Sequence, residues 1–181
     1  MRVFITGGAK NGKSSLAQDV ALALSKGGRH YYVATMIPAD EEDQERIRRH
    51  LADRAGMGFE TLECGKHILS CLETADKSAA FLLDSATALL LNELFPDPTD
   101  CRMDSSAAQR VADELAEFVR SVDNIVVVSD FIYSDAQHYD EVTREYRRGL
   151  ALIDRTLAQV CDTVVEVCAG NLVVHKGDLF L

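Results

Sequence analysis

Apolar residues recur along the chain in short, nearly continuous runs, separated by longer stretches where they return every three or four positions. The runs at 3–6, 31–35, 59–63, 80–84, 125–129 and 163–168 read as strands, with 172–175 as a short last one. Phe81-Leu82-Leu83 and Ile125-Val126-Val127-Val128 show no polar alternation, the pattern of strands covered on both faces. Between these runs, helical periodicity predicts helices over 13–25, 40–55, 86–95, 105–122 and 141–160. Strand–helix alternation predicts an α/β fold built on a mostly parallel, doubly wound sheet. The stretch 164–175, with Ala169-Gly170-Asn171 at its centre, has hairpin spacing, so the last strand is expected to run antiparallel. Residues 96–106 hold two of the three prolines and read as a loop between helices rather than a boundary, and no repeat interrupts the pattern. One domain over residues 1–181 is the expectation.

Charge narrows the function classes. The 181 residues carry 19 Lys and Arg against 29 Asp and Glu, a net charge of −10. Such a chain repels nucleic-acid backbones at long range, so no nucleic-acid partner is expected, although backbone N–H groups could still hold a local anion. No apolar run reaches the roughly 18–20 residues that span a bilayer, which predicts no stable membrane insertion. The apolar stretch in MRVFITGGAK is too short for a signal peptide, so a cytoplasmic location is expected. Cys64, Cys71, Cys101, Cys161 and Cys168 are irregularly spaced with no CxxC pair, and are expected to be small buried hydrophobes or bystanders.

The most specific motif is Gly7-Gly8-Ala9-Lys10-Asn11-Gly12-Lys13-Ser14, which fits G-x-x-x-x-G-K-[ST] without a mismatch between a strand and an amphipathic helix. Glycines let consecutive N–H groups turn into one concavity, and the helix beginning near Lys13 adds the positive end of its dipole. In that pattern Lys13 neutralises the β- and γ-phosphates of a nucleoside triphosphate, and the Ser14 hydroxyl coordinates Mg²⁺. Asp84, at the carboxyl end of an apolar strand, is placed to support magnesium; the plainer alternative, not exclusive of it, is a cap for the helix that follows. Asp130, after the next apolar strand, is a rival acidic position that could sense the γ-phosphate.

The stretch after Asp40 begins acidic and turns basic, with Arg46, His50 and Arg54 on one helical face. Clustered guanidiniums there would disfavour protonation of His50 and keep a nitrogen free as nucleophile or base. The plainer alternative is a solvated helix laced by Glu42–Arg46 and Glu45–Arg49 pairs. The other histidines, His30, His67, His138 and His175, have no phosphate-loop context and are given no role.

Taken together, the phosphate loop, Tyr32-Val33-Ala34-Thr35, Arg46-Ile47-x-x-His50-x-x-x-Arg54, Phe59-x-Thr61-x-Glu63 and Leu82-Leu83-Asp84 resemble the bifunctional adenosylcobinamide kinase and adenosylcobinamide-phosphate guanylyltransferase family of cobalamin synthesis. The resemblance implies a RecA-like P-loop NTPase fold and a homo-oligomer, often a trimer. It implies phosphorylation of adenosylcobinamide by ATP or GTP, and transfer of GMP from GTP to adenosylcobinamide phosphate through a phosphoramidate on the histidine matching His50. Catalysis would fall to His50 and Lys13. Nucleotide contacts would come from Gly7, Gly8, Ala9, Lys10, Asn11, Gly12, Lys13 and Ser14, from Thr35, Met36 and Ile37, from Leu51, Ala52, Asp53 and Arg54, and from Glu63 and Asp84, with Ser14 and Asp84 holding Mg²⁺. The sequence departs from the family where Asp130-Phe131-Ile132-Tyr133 replaces an Asn-Glu-Val-Gly-like segment. It departs again where Arg147-Arg148 and Asp154-Arg155 replace an Arg-Asp and Asn-Gln pattern. A simple small-molecule P-loop kinase and a non-catalytic nucleotide-switched module are the alternative readings.

Overall fold

The structure, a computed structural model, describes residues 1–97, 99 and 102–179; Cys101 lies outside the described residues. The elements run β1 (Arg2–Gly7), α1 (Lys13–Ser25), β2 (His30–Ala34), α2 (Glu41–Asp53), β3 (Glu60–Glu63), β4 (Ala80–Asp84), α3 (Ala86–Leu94), α4 (Ala107–Ser121), β5 (Asn124–Val128), α5 (Glu141–Val160), β6 (Thr163–Cys168) and β7 (Asn171–Lys176). A 3₁₀ turn over Ile68–Glu73, which the hydrophobic pattern does not predict, links β3 to β4.

The strands form one sheet in the order β3-β2-β4-β5-β1-β6-β7. Every pairing is parallel except β6 with β7, which is the expected antiparallel hairpin. Because β1 returns between β5 and β6, the carboxyl ends of β1, β5, β4 and β2 open side by side along one edge, where ligands of such sheets gather. The inner strands are apolar on both faces because both are covered. On one face α1 lays Ala17, Val20 and Ala21 against Val3, Ile5, Tyr32, Leu82, Val126 and Val128. On the other, α3, α4 and α5 bury Phe4, Tyr31, Val33, Phe81, Leu83, Ile125 and Val127, with Phe81 and Phe118 meeting edge to face at 5.7 Å. Among the described residues, no helix is long and apolar enough to cross a membrane.

Helix α2 is different, for none of its residues is buried. Its ends are defined by chemistry rather than by packing. Asp40 accepts the Asp43 amide at 2.8 Å, and Asp43 accepts the Ala39 amide at 3.2 Å, so the expected acidic start is present. The surface pairing is carried by Glu45, with Arg48 at 2.8 Å and Arg49 at 3.6 Å, rather than by Glu42 with Arg46.

One expectation needs correction. Asp84 does not cap α3: Ser85 is the N-cap, its hydroxyl accepting the Ala88 amide at 3.2 Å, which leaves the Asp84 carboxylate to the strand ends. Cys64, Cys71 and Cys161 are buried and Cys168 is an exposed bystander at the turn of the β6–β7 hairpin, all of them free, as expected.

Candidate active site

The loop from Gly8 to Gly12 joins β1 to α1 where backbone shape matters more than side chains. Gly7 has φ 149°, and a Cβ there would run into the Val167 carbonyl of the neighbouring strand; Gly12, the N-cap of α1, is left-handed at φ 86°. Both positions favour glycine for that reason. Asn11 ties the loop to β6 by donating to the Val167 carbonyl at 3.3 Å, while Ala9 and Lys10 are exposed at its tip.

Lys13 is 6% exposed and turned back under the loop. Its ammonium donates to the Gly8 carbonyl at 2.6 Å and pairs with the Asp130 carboxylate at 2.8 Å. Ser14, one residue on, faces a cavity of about 370 Å³ that it shares with Ser15, Gln18, Met57 and two residues of α2, His50 and Asp53. Helix α2 therefore hangs over the start of α1, and the imidazole shares a cavity with Ser14, the residue next to Lys13.

What orients that imidazole is not the guanidinium cluster expected from helical spacing. Arg46 is exposed, and Arg54 is buried with its guanidinium 3.9 Å over the Tyr32 ring and a long contact of 3.4 Å to the Thr61 hydroxyl. The group facing His50 Nδ1 is the Tyr32 hydroxyl at 3.5 Å, with the Asp84 carboxylate behind it at 3.9 Å. Tyr32 donates to Asp84 at 3.1 Å, and burial, reinforced by that carboxylate, holds its phenol protonated far above the ordinary range. With Nδ1 directed at this pair, Nε2 has no hydrogen-bond partner among the described residues, a geometry that suits a base or a nucleophile. Arg54 thus acts on the site from beneath, by stacking on the tyrosine that faces the histidine.

Of the other expected nucleotide contacts, Thr35 is buried and bridges two segments, donating to the Ser85 carbonyl at 2.8 Å and accepting the Ser85 amide at 2.7 Å. Met36 is half-buried, and Ile37 is exposed against Gly65. Leu51 and Ala52 are exposed on α2, and Glu63 is exposed at the end of β3, paired in register with Ala34. Ser14, His50 and Asp53 line one cavity, and Asp84 joins them through His50 and Tyr32. Leu51, Ala52, Ile37 and Glu63 lie on surrounding exposed surface.

Sequence reasoning gave no site role to Tyr32 or Asn92. Tyr32 stood in the sequence as a strand residue and as part of the Tyr32-Val33-Ala34-Thr35 motif, and its relation to Asp84 depends on the β2–β4 register. Asn92 donates at 2.8 Å to both the Thr35 and Gly65 carbonyls, fixing the strand ends from α3; a polar residue inside an apolar helical run was the signal.

Among solved structures the chain resembles a KaiC-like protein from Pyrococcus horikoshii, at TM-score 0.53 and 12% identity, covering 97% of this chain and 78% of that one. It likewise resembles the flagellar accessory protein FlaH from Methanocaldococcus jannaschii, at TM-score 0.51 and 15% identity, with 97% and 78% covered. At such identities the likeness speaks for the fold alone, which is RecA-like. Sequence relatives are nearer. The bifunctional adenosylcobalamin biosynthesis protein CobU of Salmonella typhimurium is 29% identical, with 94% of this chain and 97% of the relative covered. The corresponding protein CobP of Pseudomonas aeruginosa is 30% identical, with 98% and 99% covered. Residues 3–174 match the family described as cobinamide kinase / cobinamide phosphate guanyltransferase, and the chain belongs to that family.

Proposed function

We propose that residues 1–181 act as one nucleotide-binding domain with two linked activities on a corrinoid. In the first, a nucleoside triphosphate held by residues 7–14 donates its γ-phosphoryl group to the terminal hydroxyl of adenosylcobinamide. In the second, His50 Nε2 attacks the α-phosphorus of GTP, forming an N–P bond as the bond to the leaving pyrophosphate breaks. An oxygen of adenosylcobinamide phosphate then attacks that phosphorus, the N–P bond breaks, and adenosyl-GDP-cobinamide leaves. Dividing the transfer lets one site take two large substrates in turn.

One observation carries this reading: Ser14 of the phosphate loop and His50 of α2 line the same cavity, with the imidazole's Nδ1 facing Tyr32 and Asp84. A helix with no buried residue is ordinarily an ornament of the surface, and here it is held over a phosphate loop. Ser14 and Asp84 offer a hydroxyl and a carboxylate, an all-oxygen pair that fits Mg²⁺, a hard cation that takes its remaining ligands from phosphate and water. When bound, the ion would screen the charge of the polyphosphate. By resemblance the protein works in the cytoplasm as a homotrimer.

The test is incubation with GTP labelled at the α-phosphate. The expected product is protein-bound GMP that is acid-labile and absent from His50→Ala, while phosphorylation of the hydroxyl acceptor survives. A wild-type protein that phosphorylates the acceptor yet never takes up label would instead be a simple kinase.

A further inference from the structure

The strand ends carry two carboxylates, and the structure separates them. Asp84 is 8% exposed, accepts from Tyr32 and faces His50. Asp130 is 32% exposed and faces Lys13. We propose that Asp130 is the general base of acceptor phosphorylation, taking the proton of the hydroxyl that attacks the γ-phosphorus. The inference rests on the kinase half of the function above and adds a residue to it.

Position is the first argument. Past the end of β5 the chain stays bonded to β1, with the Ser129 amide donating to Ile5 at 3.0 Å and the Phe131 amide to Gly7 at 2.9 Å. The Asp130 amide donates to the Thr87 hydroxyl of α3 at 2.9 Å. The residue is therefore fixed from two elements, with its carboxylate 2.8 Å from Lys13 Nζ. An ammonium meets a phosphate oxygen at about 2.7–2.9 Å, so Lys13 on a γ-phosphate leaves this carboxylate within about 6 Å of the transferring group.

Access is the second. An acceptor hydroxyl has to reach the base, and of the two carboxylates Asp130 is the more open. Lys13 has three donors, of which Gly8 and Asp130 take two; the third can meet an incoming phosphate while Asp130 Oδ1 keeps its contact, and Oδ2, with no lysine on it, is left for the acceptor hydroxyl. Charge is the third. Asp130 is faced by Lys13 of α1 and lies within electrostatic reach of Tyr146 and Asp154 of α5, both of whose protons it helps retain. In the step itself the acceptor oxygen bonds to the γ-phosphorus, and the bond from that phosphorus to the bridging oxygen breaks. The nucleoside diphosphate leaves with the electron pair, and the hydroxyl proton passes to Asp130 and then to water.

Asp130→Asn tests this with two readouts on one protein. General-base catalysis contributes about 10²–10⁴-fold, and a loose phosphoryl-transfer transition state calls on its lower end. The expected result is a fall of about 100-fold in kcat for phosphorylation of adenosylcobinamide and less than about threefold change in His50 labelling by α-labelled GTP. An equal fall in both activities would assign Asp130 to nucleotide binding through Lys13 and overturn the proposal. Phosphorylation by Asp130→Asn within about fivefold of wild type would overturn it too, with the kinase reading intact. A wild-type protein that phosphorylates no hydroxyl acceptor would overturn both.

Discussion

Tyr32 shows how much of this site depends on single atoms. Its hydroxyl donates to Asp84 and faces His50 Nδ1, and the Arg54 guanidinium lies on its ring. Tyr32→Phe keeps the ring and that stacking, yet takes away a donor from a carboxylate that is 8% exposed and a partner from the imidazole. Losing one such hydrogen bond costs about 1–2 kcal/mol, so formation of the histidine–GMP adduct should slow about tenfold, with the KM for GTP within about threefold of wild type. Single-turnover labelling measures both. The phosphate loop and His50 are legible in the sequence because local spacing defines them: a glycine pattern between strand and helix, and a histidine at a four-residue interval from arginines. Tyr32 is not, since its neighbours come from β4 and α2, and only the sheet register brings them together. The same limit explains the misassigned arginines. Helical spacing puts Arg54 on the face of His50, but as the C-cap of α2 it leaves the helix and turns onto Tyr32.

At the scale of elements, strands buried on both faces announce themselves, and β1, β4 and β5 fall within a residue or two of the runs that predict them. The 3₁₀ turn at Ile68–Glu73 escapes such reading because six residues complete too few turns to show a period. The junction of β4 and α3 was ambiguous for a different reason: Asp84 and Ser85 are both good helix caps, and adjacent residues cannot be ranked by preference alone. The structure gives the cap to Ser85 and leaves the Asp84 carboxylate facing Tyr32 and His50, which makes the two separable. Ser85→Ala should lower stability by about 1 kcal/mol, or about 2–4 °C in Tm for a chain of this length, with both activities near wild type. Asp84→Asn should do the reverse, leaving Tm within about 2 °C while GMP transfer falls roughly 100-fold. Thermal melts alongside the two assays separate these outcomes, and the opposite pattern would return the capping role to Asp84.

Across the whole molecule, the polar interior lies behind the phosphate loop rather than within it. Thr6 Oγ1, Ser129 Oγ and Asp154 Oδ1 are buried without a hydrogen-bond partner, while the other Asp154 oxygen accepts from Tyr133 at 2.9 Å. Burial pushes the Asp154 carboxyl up to about 6. The Tyr133 hydroxyl and a nearby Ser129 hydroxyl, whose geometry falls short of a hydrogen bond, temper the rise, and Asp130 adds to it. An acid whose folded pKa lies above its unfolded value binds more protons when folded. Its contribution to stability is therefore full below about pH 4, shrinks as pH rises towards 6, and stays lost above that. Two units correspond to at most about 3 kcal/mol. Asp154→Asn removes the ionisation but keeps an acceptor for Tyr133 and adds donors that suit the orphaned hydroxyl oxygens. The variant should melt several degrees above wild type at pH 7.5, at about 2–4 °C per kcal/mol, and the gap should close by pH 4. A gain that does not vary with pH would point to packing instead. A lower Tm at pH 7.5 would mean that the buried carboxylate is stabilised by a partner other than these hydroxyls.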